Sequence, residues 1–127
     1  MKLVIAPEQF DVIVTTNLFG DILSDLISGL VGGLGLAPGA NIGVSAAIFE
    51  AVHGTAPDIA GKDVANPGAL ILAAAMMLDH LGQREQGDRI RSCFEQQVRE
   101  GRALTRDLGG TAGTTAFTDE LVARLKG

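Results

Sequence analysis

Two aspartates four residues apart, Asp21 and Asp25, have the type and spacing to hold a cation. The apolar residues around them recur at helical spacing and predict a helix over residues 21–31. Residues four apart lie on one helix face, so both carboxylates point the same way. Like charges there destabilise a helix by about 0.2–0.5 kcal/mol, and a hard cation such as Mg²⁺ or Mn²⁺ reverses that repulsion. On spacing alone, the favoured interpretation is a helix cap and one solvated acid rather than a metal site.

A second candidate segment is the loop His53–Asn66, which contains more turn-forming residues than a plain connection needs. Other common motifs are absent. There is no G-x-G-x-x-G and no Walker A sequence, and Gly43-Val-Ser45-Ala-Ala47 lacks the last glycine of a nucleophile elbow. Cys93 lies in an apolar helical stripe and is predicted to be a core residue rather than a nucleophile.

Hydrophobic periodicity, together with the glycine, proline and asparagine residues that begin or end elements, predicts the secondary structure that positions these residues. Buried strands are predicted at residues 11–16 and 44–52, and the glycine-rich stretch 32–39 is predicted to be a loop. Beyond the helix at 21–31, three helices are predicted, over residues 67–81, 85–100 and 115–126. Asn66 caps the first of these, and Gly82 ends it. Two strands and four helices indicate the α/β class.

Composition limits the function classes. A length of 127 residues fits one domain, and the single cysteine excludes a disulfide framework. Net charge is −5, with one cation against six acids in residues 1–61, which argues against nucleic acid as a partner. No apolar run reaches the roughly twenty residues of a membrane span. We therefore expect a cytoplasmic protein. The helix around residues 69–78 is apolar on every side and suggests an oligomer or a larger polypeptide.

Four motifs in this order resemble the C-terminal part of the isocitrate and isopropylmalate dehydrogenases, a metal-dependent β-decarboxylating family. The motifs are Asn17-Leu-Phe-Gly-Asp-Ile-Leu-Ser-Asp25, Gly32-Gly-Leu-Gly-Leu-Ala-Pro-Gly-Ala-Asn-Ile-Gly43, His53-Gly-Thr-Ala-Pro-Asp-Ile-Ala-Gly61 and Thr105-Arg-Asp-Leu-Gly-Gly110. The resemblance covers essentially the whole chain. It implies a single domain over residues 1–127 that corresponds to the last third of the family's polypeptide and has part of its layered α/β fold.

The resemblance assigns roles to individual residues. Asp21 and Asp25 match metal ligands for Mg²⁺ or Mn²⁺. The loop matches the family's NAD or NADP site, in which His53 packs on the adenine and Asn66 bonds its edge. Glu50 matches an acid near the nicotinamide ribose. The full set implied for the coenzyme is Glu50, His53, Gly54, Thr55, Ala56, Pro57, Asp58, Ile59, Asn66 and Asp107.

Two of these residues bear on coenzyme choice. NADP enzymes of the family generally carry Lys and Tyr where this chain has Asp58 and Ile59. An aspartate accepts hydrogen bonds from ribose hydroxyls and repels a 2′-phosphate, which favours NAD. The alternative is that Asp58 is a turn residue after Pro57.

The family's catalytic tyrosine, lysine and third metal aspartate come from earlier segments, and this chain has no tyrosine. No catalytic residue is assigned. We expect an NAD- and metal-binding segment of an isocitrate dehydrogenase-like oxidoreductase, incomplete for catalysis alone. Its substrate would be a 2-hydroxy acid, with 3-isopropylmalate or homoisocitrate as alternatives to isocitrate. The second hypothesis is a non-catalytic binding or assembly module that pairs with itself or with a longer relative.

Overall fold

The computed structural model describes all residues from 1 to 127 and has an α/β fold of five helices and two strands. In chain order, the elements are α1 (Lys2–Ile5), α2 (Asn17–Leu30), β1 (Pro38–Ile42), β2 (Ala47–Ala51), α3 (Gly68–His80), α4 (Arg84–Glu100) and α5 (Thr114–Lys126). Short 3₁₀ turns lie at Pro7–Gln9, Leu34–Leu36 and Arg106–Leu108. None of these helices is long and apolar enough to cross a membrane.

The sheet is an antiparallel hairpin of β1 and β2, with Ala40 opposite Phe49 at its centre. The predicted strand at 44–52 is confirmed in its second half only, because residues 43–46 form the hairpin turn, closed by the Gly43 N–H on the Ala46 carbonyl. β1 was not predicted: its first two residues lie in the predicted loop 32–39, and residues 40–42 were given no element. Its proline, glycine and asparagine are poor strand formers, and pairing with β2 overrides that preference.

The strand predicted at residues 11–16 is wrong. This segment has no regular secondary structure, and Val12 and Val14 are 81% and 93% exposed. A strand needs a neighbour for its backbone hydrogen bonds, and no other strand of the chain lies beside it. The β-branched sequence alone does not make a strand.

The core lies between α3, α4 and α5. Phe94 and Phe117 pack with ring centroids 5.8 Å apart, beside buried Leu121. α3 packs tightly on α4 because Gly87 has no side chain: a Cβ there would lie 2.6 Å from Asp79 Oδ1 and 2.9 Å from the Ala75 carbonyl oxygen. This packing buries the face of α3 that carries Ala69, Ala73 and Ala75.

Much apolar surface stays uncovered. α3 was expected to be covered all round, yet Leu70 is 60% exposed while Ala69, Ala73 and Ala75 are buried. On α2, the stripe of Ile22, Leu26 and Leu30 is 56%, 44% and 54% exposed. The periodicity of α2 predicted the stripe correctly, but no element of the chain packs over it.

Candidate functional site

A cavity of about 820 Å³ lies between the loop 53–66, the 3₁₀ turns at 34–36 and 106–108, and the start of α5. Seven of the ten residues that the sequence analysis assigned to the coenzyme line it. These are His53, Gly54, Thr55, Ala56, Ile59, Asn66 and Asp107. The structure therefore brings two motifs that are some forty positions apart to one cavity.

A polar pair, Asn66 and Asp107, joins the two sides of this cavity. The Asn66 side-chain amide donates to Asp107 Oδ2 at 2.7 Å, and its carbonyl oxygen accepts from the Gly68 N–H at 2.8 Å. Asn66 thus caps α3, as predicted, while its amide is fixed in orientation. An asparagine amide carries two N–H donors, so one stays available to a ligand.

The environment of Asp107 sets its charge. Burial raises the pKa of its carboxyl, but the donors around it, namely the nearby Thr105 hydroxyl, the Asn66 amide and neighbouring backbone N–H groups, outweigh burial and hold the pKa below its ordinary value. Of these donors, Asn66 forms a hydrogen bond of 2.7 Å to the carboxylate. Asp107 is consequently an anion at neutral pH. It faces the cavity as a hydrogen-bond acceptor for hydroxyl or amine groups.

Gly35 brings the third segment close to this pair. A Cβ at Gly35 would lie 3.2 Å from both Asn66 Cβ and Asp107 Oδ2. Such contacts are tighter than a side chain accepts without a shift of its neighbours. The second motif therefore uses glycine to approach the polar pair.

Asp63 connects the loop to α5. Its Oδ1 accepts the Thr115 backbone N–H at 2.9 Å and the Thr115 hydroxyl at 2.8 Å, and its carbonyl oxygen accepts the Thr114 N–H at 3.1 Å. A Cβ at Gly113 would overlap the Asp63 carboxylate. An acidic residue at the first turn of α5 satisfies free N–H groups and favours the helix dipole. The cavity wall is thereby held against a core helix.

The backbone of the loop 53–66 has an unusual conformation at Ala56. Ala56 adopts φ 41°, a left-handed conformation that non-glycine residues rarely use. The His53 ring is exposed, and its Nδ1 lies 3.0 Å from the Gly54 carbonyl oxygen. The exposed imidazole is thus part of the cavity lining.

Three of the residues assigned to the coenzyme do not line the cavity: Glu50, Pro57 and Asp58. Glu50 lies on β2, where its Oε1 accepts the Asn41 side-chain amide at 2.8 Å. Asp58 is exposed in the turn directly before Ile59, which does line the cavity.

Asp21 and Asp25 lie one turn apart on α2, as predicted, and both are exposed. Neither carboxylate takes part in an ion pair or in a side-chain hydrogen bond. The hydroxyl of the neighbouring Ser24 donates to the backbone carbonyl of Asp21 and not to its carboxylate. No three His, Cys, Asp or Glu side chains are close enough together to hold a metal ion. Two free carboxylates still fit Mg²⁺, which commonly takes one or two protein carboxylates together with water and substrate oxygens.

Several lining residues escaped the sequence analysis. They are Leu34, Gly35, Ala60, Gly61, Asp63, Val64, Ala65, Arg106 and Thr114. Arg106 and Gly35 belong to two of the four motifs that resemble the family, so membership of those motifs could have identified them as site residues.

Comparison with solved structures defines the class of protein. The fold superposes on isocitrate dehydrogenase from Methylococcus capsulatus with a TM-score of 0.93 and 52% identity, covering 99% of this chain and 38% of that one. It superposes on a β-decarboxylating dehydrogenase from Thermococcus kodakarensis with a TM-score of 0.86 and 46% identity, covering 98% of this chain and 37% of that one. The fold is therefore that of the decarboxylating dehydrogenases.

Sequence comparison agrees. The family model for isocitrate/isopropylmalate dehydrogenase matches residues 1–123. The chain is 61% identical over 126 residues to isocitrate/homoisocitrate dehydrogenase of Thermus thermophilus, covering 99% of this chain and 37% of the relative. It is 54% identical over 127 residues to the human mitochondrial NAD isocitrate dehydrogenase subunit alpha, covering 99% and 35%. The chain belongs to the isocitrate/isopropylmalate dehydrogenase family and spans a little over a third of the length of these relatives.

Proposed function

We propose that residues 1–127, acting as a single domain, form the NAD- and metal-binding segment of an isocitrate dehydrogenase-like oxidoreductase. The observation that carries this proposal is the cavity in which His53, Asn66 and Asp107 meet. Its volume of about 820 Å³ lies within the range of small-molecule and cofactor sites. Its wall combines an exposed imidazole, a fixed amide and a carboxylate.

For the coenzyme, the proposed roles follow from the donors and acceptors present. His53 stacks on the adenine, and the free N–H of the Asn66 amide bonds the adenine edge. Gly54, Thr55, Ala56 and Pro57 let the loop backbone approach the dinucleotide, and the Asp107 carboxylate accepts hydrogen bonds at the adenosine end. Asp58 and Ile59 select NAD, and Glu50 lies toward the nicotinamide ribose.

For the metal, Asp21 and Asp25 hold Mg²⁺ or Mn²⁺ through carboxylate oxygens. The chemistry that such an ion supplies is Lewis-acid stabilisation of the charge that develops on substrate oxygen as carbon dioxide leaves. The carboxylates orient and bind, and neither is proposed to move a proton. Because the chain has no tyrosine, the acid–base groups of the reaction are proposed to come from outside it, and the chain alone is not proposed to turn over.

The proposed substrate class is a 2-hydroxy acid, with isocitrate first and 3-isopropylmalate or homoisocitrate as alternatives. The Thermus thermophilus relative carries both isocitrate and homoisocitrate in its name. The proposal also includes a cytoplasmic location, since the single cysteine is compatible with a reducing compartment.

A second candidate function is a non-catalytic assembly module. The exposed stripe of Ile22, Leu26 and Leu30 on α2 favours it, because contiguous apolar surface marks interaction sites. In that case the chain pairs with itself or with a longer relative, and the cavity has no coenzyme role.

Calorimetric titration of the whole chain with NAD, with and without Mn²⁺, separates these functions. We expect NAD to bind, and we expect Asn66→Ala to weaken binding by about tenfold, the equivalent of one charged or well-placed hydrogen bond. The control Gln96→Ala, on the exposed side of α4, should leave it unchanged. Mn²⁺ binding should fall in Asp21→Asn and Asp25→Asn but not in Asp11→Asn.

The outcomes are distinct. NAD binding without turnover of isocitrate supports the proposed segment. Absence of both NAD and Mn²⁺ binding in the folded chain favours the assembly module. Turnover of isocitrate by the chain alone would show that the proposed incompleteness is wrong.

A further inference from the structure

A second cavity, of about 450 Å³, adjoins the first on the α5 side. The two cavities share Asp63, Val64 and Arg106. The second one is completed by Lys62, Thr111, Ala112 and Gly113. Its wall therefore joins the end of the loop 53–66 to the segment between the 3₁₀ turn at 106–108 and α5.

Two cations of this wall have no partner. Neither Lys62 nor Arg106 takes part in an ion pair or in a side-chain hydrogen bond, and both are exposed. Two other arginines of the second half form ion pairs: Arg91 pairs with Asp79 and Asp88, and Arg124 with Glu100 and Glu120. Arg99 and Lys126 are unpaired as well, but neither lines a cavity. Two unpaired cations on one cavity are notable in a chain whose net charge is −5.

The one acid of the second cavity does not neutralise them. Asp63 Oδ1 accepts two hydrogen bonds from Thr115, and Gly113 packs against the rest of the carboxylate. No nitrogen of Lys62 or Arg106 lies within 4.0 Å of an Asp63 oxygen, since no such ion pair is formed. Asp107 lines only the first cavity, so the second keeps a positive balance.

We propose that this Lys62–Arg106 cavity is a binding site for a phosphate group. A guanidinium presents a planar set of donors that matches phosphate oxygens, and an ammonium adds a compact charge. The Thr111 hydroxyl is a further donor, and its N–H and that of Gly113 form no backbone hydrogen bond. The phosphate is either inorganic or part of a nucleotide ester. This inference does not rest on the proposed binding of NAD.

Calorimetric titration of the whole chain with inorganic phosphate, at ionic strength held constant with chloride, tests the site. We expect Lys62→Gln and Arg106→Gln each to raise Kd by about fivefold, as for loss of one exposed charge contact, and the double variant to lose measurable binding. Both side chains are exposed, and circular dichroism checks that the variants stay folded.

The matched control is Arg99→Gln. Arg99 is an exposed cation on α4 that forms no ion pair and lines neither cavity, so its loss changes net charge equally. We expect the Kd for phosphate to stay at its wild-type value. An equal loss in Arg99→Gln would show diffuse attraction and overturn the site, as would wild-type affinity in the Lys62 and Arg106 variants.

Titration with adenosine monophosphate and with adenosine separates the two sources of phosphate. A nucleotide phosphate predicts that the monophosphate binds more tightly than either inorganic phosphate or adenosine, and that Lys62→Gln removes the difference. A free anion predicts equal affinity for the monophosphate and inorganic phosphate. If the wild-type chain binds neither phosphate probe, the inference is wrong, while NAD binding in the same preparation would leave the proposed function standing.

Discussion

Asp107 makes a hydrogen bond that joins the two sides of the larger cavity. Its carboxylate accepts the Asn66 amide at 2.7 Å across 41 positions of sequence. The same amide group also caps α3 through its carbonyl oxygen. The Asp107 carboxylate therefore orients the Asn66 side chain, which in turn caps the start of α3.

Stability should depend on this carboxylate in a pH-dependent way. The pKa of Asp107 is lowered in the folded chain, so its charged form contributes stability above the ordinary carboxyl pKa and loses it as pH falls through the lowered value. We expect Asp107→Asn to reduce the free energy of unfolding at pH 7 by about 0.5–1 kcal/mol, a small value because water screens the partly exposed group.

Urea unfolding between neutral and strongly acidic pH measures this difference. The gap between wild type and Asp107→Asn should narrow toward zero at the acid end. Asp119→Asn serves as the control, because Asp119 on α5 forms no ion pair. A gap for Asp107→Asn that stayed constant down to the lowest pH would contradict the assigned hydrogen bonding of the charged form.

The identities of Asp58 and Ile59 lead to a prediction about coenzyme choice, which rests on the proposed function. We expect Asp58→Lys with Ile59→Tyr to shift preference from NAD toward NADP, since a cation replaces an anion beside the ribose. Ile59 lines the cavity and Asp58 stands next to it. Titrations with both coenzymes measure the ratio of affinities, and the single variant Ile59→Tyr isolates the charge. An unchanged ratio would leave Asp58 as a turn residue.

The roles that the resemblance assigned stay predictions, but the positions of the residues can be compared with the structure. His53, Asn66 and Asp107 were selected from motifs, and the fold places all three on one cavity. Arg106 was not assigned to the site although it belongs to the recognised motif at residues 105–110. Asp63 was not assigned because its contact with α5 is not encoded by any local pattern. Asp63 and Thr115 are 52 positions apart, so hydrophobic periodicity cannot predict their hydrogen bond.

At the scale of elements, the four long helices were predicted and the strands only in part, since β2 lies within the predicted strand at 44–52. The short helix α1 was not predicted. α4 and α5 match their predicted ranges to within a residue, because their apolar periodicity and terminal glycines act locally. α2 begins at Asn17, four residues before the predicted start. The strand at 11–16 failed, and β1 was missed, because a strand is decided by its neighbour.

The contact between Asp63 and the start of α5 should contribute to the stability of the fold. Asp63 has φ 55°, which Asn and Asp tolerate better than Ala. We expect Asp63→Ala to lower the free energy of unfolding by about 1–2 kcal/mol, through loss of the cap on α5 and backbone strain. Asp63→Asn keeps an acceptor oxygen and the backbone preference, and should cost clearly less.

Chemical denaturation of both variants measures the difference. An equal cost for the two would show that charge at the helix start, rather than the hydrogen bond to Thr115, holds the loop. Gly113→Ala provides an independent check. Gly113 has φ −82°, so alanine fits its backbone, and any destabilisation comes from overlap with Asp63.

At the scale of the whole molecule, little of the chain is interior. Only 11 of the 127 residues are buried, and the apolar ones centre on α3, α4 and α5. The stripe on α2 and the segment 11–16 lie outside this core with large apolar side chains exposed. The same α2 carries Asp21 and Asp25, the proposed metal ligands, on the face opposite its apolar stripe.

Self-association is the result we expect from this surface. Ile22, Leu26 and Leu30 follow one another at single-turn intervals, so they form a continuous patch whose burial stabilises contact by about 25 cal/mol per Å² of apolar area. Sedimentation equilibrium should give a mass above the 13.1 kDa of one chain, rising with concentration.

The double variant Leu26→Gln with Leu30→Gln should bring the measured mass toward that of the monomer. Val122→Gln, which removes an exposed apolar side chain from α5, should leave the mass unchanged. A double variant that associates as tightly as wild type would place the contact elsewhere. A wild-type chain that is monomeric at every concentration would remove the support for the assembly module.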